Sequence, residues 1–201
     1  MNSILDLLQA RLADEQSTQV ARQLGTDPST AQQAIQAALP ALMAALAGNA
    51  QRPEGAASLA SALEADHDGS ILDDLSGFLD RGDTSDGEGI LVHALGDRRA
   101  TVERAVAQNS GLDSSTVSRL LPLLAPIVMG ALGRQKRQSG LDVGGLAGLL
   151  AGERQRARQQ APAGLAGVLG GLLDDEGDGL DIGDVADAAG KLFDGLGDRR
   201  N

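Results

Sequence analysis

Residues 20–46 (VARQLGTDPSTAQQAIQAALPALMAAL) and residues 106–132 (VAQNSGLDSSTVSRLLPLLAPIVMGAL) align without a gap at an offset of 86, with identity at 10 of 27 places. Composition alone would supply about two or three identities, so the pair is an internal repeat, and one local plan must serve both copies. Each copy reads as a helix that stops at a glycine, Gly25 or Gly111, the residue best suited to the left-handed position after a helix. Asp27 or Asp113 then supplies an N-cap oxygen for a long apolar helix, which Pro28 opens favourably in the first copy. Pro40 lies inside the first long helix, and Pro122 and Pro126 lie inside the second. Their missing N–H groups and ring clashes predict bends.

The apolar residues that must build a core are almost all Ala, Leu, Val and Ile, with two Phe and no Trp or Tyr. Aliphatic side chains at close helix–helix distances suit bundles and poorly suit sheets. The expected fold is all-α: a multi-helical bundle of two repeated helix-turn-helix modules with proline-kinked central helices. The expected division is 1–96 for a first module with acidic loops, 97–160 for a second module, and 161–201 for a glycine- and aspartate-rich tail.

Within the first module, Ser3 can cap a helix that places Ile4, Leu5, Leu8 and Leu12 on one face. A helix over 18–24 precedes the first corner. After the long helix come a small-residue helix at 56–63, a helix at 70–79, an acidic glycine-rich loop at 80–89 and a short segment at 90–95. In the second module a helix at about 141–151 carries Gly144, Gly148 and Gly152 at four-residue spacing, which would let a second helix backbone approach closely. The same spacing marks it, with residues 164–171, as a candidate partner surface. A last amphipathic stretch spans 185–196.

Charge is segregated, with a net value of −11 that disfavours nucleic acid and anionic membranes as partners of the chain as a whole. Residues 64–88 hold nine acidic residues against Arg81, whereas 134–158 hold five Arg and Lys136 against Asp142 and Glu153. The basic arm could meet the acidic loop of its own chain or of another copy. No Cys is present, which excludes a disulfide framework and thiolate chemistry. The start of the chain lacks the basic flank of a signal peptide, and the most apolar run, 120–132, is about half a membrane crossing. A cytoplasmic location is expected, without a transmembrane segment.

The corner residues Ala21, Gly25 and Ala31, and Ala107, Gly111 and Val117, match a helix-turn-helix spacing, but the first turns of the helices that follow, 29–36 and 115–121, offer only Arg119 to a phosphate. Glu64, Asp66, Asp68, Gly69 and Ser70 follow the opening of an EF-hand loop, yet Leu75 stands where the bidentate Glu belongs. Asp66, Asp68 and Ser70 are therefore candidates for weak calcium binding only. An acidic turn whose Asp68 or Ser70 caps the next helix competes with that reading. His67 and His93 lie apart in sequence, and His93 is expected to pack its ring and donate to a backbone carbonyl. No nucleophile elbow, HExxH or phosphate loop occurs, so no enzyme activity, catalytic residue or cofactor is expected.

The segments DHDGSILDDLSGFL (66–79), GILVHALG (89–96) and the second repeat copy (106–132) resemble a bacterial family, domain of unknown function 937, the YidB-like group. The likeness covers roughly residues 1–135. It implies a compact helical bundle and brings no activity or catalytic residues with it. The expected role is a non-catalytic protein-interaction or self-assembly scaffold, because the second-copy helix has no polar position over 120–132 and must be buried between modules or in an oligomer. DNA binding at the corners, weak calcium binding and a membrane-associated assembly are the alternatives.

Overall fold

The computed structural model describes residues 3–162 together with 165, 167 and 170. The tail beyond 170, including the amphipathic stretch 185–196, lies outside the described residues. Among those described, the elements are α1 (Ile4–Arg11), α2 (Glu15–Leu24), α3 (Pro28–Asn49), α4 (Pro53–Ala65), a 3₁₀ turn (Ser70–Leu72), α5 (Leu75–Arg81), α6 (Ser85–Leu95), a second 3₁₀ turn (Gly96–Arg98), α7 (Arg99–Ser110), α8 (Ser114–Ser139) and α9 (Val143–Gln160), with no strand. The fold is all-α.

The two corners are built from the same local bonds. Gly25 and Gly111 sit at φ 73° and 74°, which a side chain would strain. Asp27 accepts from the Thr30 amide at 2.9 Å and Asp113 from the Thr116 amide at 2.9 Å. Hydroxyls add to both caps: Ser29 (2.6 Å) and Thr30 (2.6 Å) on Asp27, Ser115 and Thr116 (2.8 Å) on Asp113. Each bond stabilises the ionised carboxylate. The hydroxyls, Ser29 then Thr30 and Ser115 then Thr116, are the largest cause of both acids titrating well below the ordinary aspartate range.

α3 and α8 are the centre of the bundle. α3 packs against α2, α7, α8 and α9, and α8 packs against α6, α7 and the first 3₁₀ turn. Both helices run on through their prolines. Every residue from 120 to 132 is buried within the one chain. α8 has the length and hydropathy (1.5) to cross a bilayer, but 89% of its most apolar window lies inside the bundle. A single buried cluster joins residues of 1–96 and 97–160, so α6 rests on α8 and α3 on α7 across the expected division.

Three local expectations change. The helix expected over 70–79 is split: Asp68 accepts from the Ser70 amide (2.9 Å), and a fresh cap at Asp74, accepting from Gly77 (3.0 Å), starts α5. Residues 85–89, expected as loop, are the first turn of α6. Asp86 and Glu88 suit a helix N-terminus there, and Glu88 pairs with Arg99. Gly87 lets α6 seat on α8, since a Cβ at that position would run into the carbonyl of Pro122. That carbonyl has no helical donor, because the residue four further on is Pro126. Finally, Gly144, Gly148 and Gly152 face outward, and a Cβ at Gly148 or Gly152 would meet open space. α9 instead buries Leu146, Leu150, Glu153 and Ala157.

Candidate binding cleft

The C-terminal end of α3 passes beneath a gap between α4 and α6, and the gap is a cleft of about 750 Å³. Its apolar wall comes from four helices: Leu46 of α3, Leu59 and Ala62 of α4, Ile90 and Ala94 of α6, and Met129 of α8. The repeats of i, i+3 and i+4 that bury α4 and α6 on the core leave these edges facing each other. The rest of the lining is Gly55, Gly89 and polar groups: Asn49, Arg52, Ser58, His67, Asp86 and His93, with Glu54 in the first turn of α4.

Both histidines of the chain reach this cleft. The His67 side chain is 10% exposed, and its Nδ1 stands 3.7 Å from Asp86 Oδ2. His67 is held there by its amide, which donates to Ala62 O at 3.2 Å, and by Gly133, whose missing side chain makes room for the His67 carbonyl. His93 is exposed on α6, and it is its carbonyl that accepts, from Asn49 Nδ2 at 3.5 Å. The expected packed and donating ring is therefore not found, because this face of α6 borders the open cleft. Arg52 donates to Asn49 Oδ1 at 2.9 Å. These contacts tie the ends of α3, α4 and α6 together at the mouth of the cleft.

The acidic loop beside the cleft is clasped by the end of α8. Arg134 donates to Gly69 O at 2.6 Å and pairs with Asp73, Lys136 pairs with Glu64, and Arg137 stands 2.9 Å from Asp68. The first part of the basic arm thus meets the acidic loop of its own chain. Of the calcium candidates, Asp66 ends α4, Ser70 is exposed, and Asp68 is committed to the Ser70 amide and Arg137. The Ser70 bonds, then Arg137, hold the Asp68 carboxyl down at about 2. Among the described residues no three His, Asp or Glu side chains are grouped to hold a metal ion. A cation on Asp68 would have to displace Arg137.

At the corners, Arg119 donates to Leu24 O at 3.1 Å and so closes the C-terminus of α2. The lone cation of the second corner's first turns is thus engaged by its own chain at the surface of the bundle.

One group escaped the sequence reading. Glu153 of α9, 1% exposed, accepts from the amides of Ile4 (3.3 Å) and Leu5 (3.2 Å) and from Arg156 (2.8 Å). It caps α1 from the far end of the chain. Its signal was present: Glu153 occupies the third place in the buried stripe 146, 150, 153, 157, where an apolar residue belongs.

No curated protein matches the chain. No solved structure matches it either. A family model described as bacterial protein of unknown function (DUF937) matches residues 6–135, from α1 to the end of the apolar part of α8. That span contains every residue of the cleft wall and leaves out α9 with its Glu153 cap. With well over half of its length matched by the model, the chain belongs to the DUF937 family of bacterial proteins of unknown function.

Proposed function

We propose that this protein is a non-catalytic helical scaffold that works by binding a protein partner or a second copy of itself, with the cleft between α4 and α6 as its contact. The cleft's mixed wall, aliphatic within and polar at the edge, is the observation that supports this reading. Such walls bury apolar side chains of a partner while edge groups fix its orientation. Two of the edge groups are held in place by bonds within the chain, Arg52 to Asn49 Oδ1 and Asn49 to the His93 carbonyl, which suits them to orient a partner.

Sedimentation across concentration and salt tests the self-assembly form of this reading. The expected mass rises with concentration and falls back in Gly89→Trp, which places a ring at the cleft wall where a Cβ meets open space. A chain that stays monomeric throughout, with unchanged hydrogen exchange at α4 and α6 between dilute and concentrated samples, refutes self-assembly through this face.

A further inference from the structure

We infer that the cleft between α4 and α6 takes an aliphatic monocarboxylate, with the alkyl chain against the apolar wall and the carboxylate on Arg52. The inference rests on reading the cleft as a binding site and goes further by naming the class of group that it accepts.

Size and wall chemistry select the body of the ligand. A volume of about 750 Å³ lies within the range of roughly 300–1,000 Å³ usual for small-molecule sites. The wall is Leu, Ile, Ala and Met, and the chain has no Trp or Tyr to stack on a nucleobase or another planar ring. Met129 is the adaptable member, suited to a flexible alkyl chain rather than to one rigid shape.

Charge selects the head. Arg52 is exposed at the mouth, and among the described residues its guanidinium has Asn49 Oδ1 as partner and no carboxylate. A guanidinium has five N–H donors in a planar fork, so the bond to Asn49 orients it and leaves donors for a bidentate carboxylate. Asp86 already faces His67 at 3.7 Å, whereas Glu54, two residues along from Arg52, has no ion-pair partner among the described residues. A doubly charged phosphate head would meet these two acids as like charges. A single carboxylate gains the fork of Arg52 with the least repulsion. An amine head would be drawn to Glu54 and repelled by Arg52.

Calorimetric titration of the full chain with decanoate tests the inference, with decanol and decylamine as neutral and cationic controls. Saturable one-to-one binding of decanoate is expected, at least tenfold tighter than either decanol or decylamine. Arg52→Gln should weaken decanoate about tenfold, equivalent to about 1.4 kcal/mol, and leave decanol unchanged. Glu54→Gln should tighten decanoate. Gly89→Trp should remove binding while the melting temperature holds, since a Cβ there meets no atom of the chain. Decanoate no tighter than decanol, or unaffected by Arg52→Gln, overturns the carboxylate assignment. Absence of any saturable decanoate binding overturns the ligand class itself. The sedimentation test of the scaffold reading uses no ligand, so either reading can fail while the other stands.

Discussion

Glu153→Ala asks what holds α1 onto the bundle. The first N–H groups of a helix have no partner within it. In α1, Ser3 Oγ takes the Asp6 amide (2.9 Å) and Ser3 O takes the Leu7 amide (3.0 Å), which leaves Ile4 and Leu5. Those two donors are met by the Glu153 carboxylate, and their residues are 6% and 0% exposed. Truncation to Ala strands both donors where water enters with difficulty, at about 1–3 kcal/mol each, and the total should be about 3–5 kcal/mol, as for other buried charged groups losing a partner. Glu153→Gln keeps one acceptor oxygen and should cost about 1–2 kcal/mol. Arg156 is 46% exposed, so Arg156→Ala should cost at most about 1 kcal/mol. Urea unfolding followed by circular dichroism gives the ranking, and hydrogen exchange should place the loss of protection first in α1. Glu153→Leu supplies the decisive comparison, because it restores volume without acceptors. If it recovers the wild-type stability, packing rather than capping holds α1 and the reasoning fails.

Gly87→Ala should lower stability by about 1–3 kcal/mol, because the new Cβ meets the Pro122 backbone, whereas Gly89→Ala on the same helix should be neutral or stabilising by up to about 1 kcal/mol; thermal melts of the pair check the contrast. Asp27 and Asp113 titrate below their unfolded value near 3.8, so their caps stabilise fully above that pH and are lost as pH falls through the folded values. Asp68, held at about 2, adds to the same acid limb. Stability should therefore be flat above about pH 5 and fall below pH 4, and an Asp27→Asn, Asp113→Asn double variant should show a shallower fall in pH-dependent unfolding. Millimolar calcium should leave the melting temperature unchanged, since Asp68 is engaged by Ser70 and Arg137. A calcium-dependent rise that Asp68→Ala abolishes would show that the loop exchanges Arg137 for the ion.

The parts of this fold that could be read from sequence are those whose bonds span a few residues. Asp27 and Asp113 find their donors three residues on, and Gly25 and Gly111 take up their conformation regardless of what packs on them. The aliphatic run 120–132 likewise could only be buried. What was missed depends on partners far away in the chain. The glycine at 87 looked like loop chemistry until the carbonyl left free by Pro126 was placed beneath it. The glycines of α9 looked like a packing face, but Glu153, an acid in a basic stretch, marks the buried side. The cleft could not be read at all, because it is the space left where α4 and α6 each pack on the core without closing on each other, and no periodicity encodes a gap.

The central claim is that the two long apolar helices are buried by their own chain, and hydrogen exchange resolved along α8 tests it most directly. In a dilute monomeric sample the amides over 120–132 should exchange last, with protection equal to the free energy of global unfolding and unchanged on concentration. Rapid exchange there in the monomer, or protection that grows with concentration, would mean that α8 is covered by another molecule and would contradict the account.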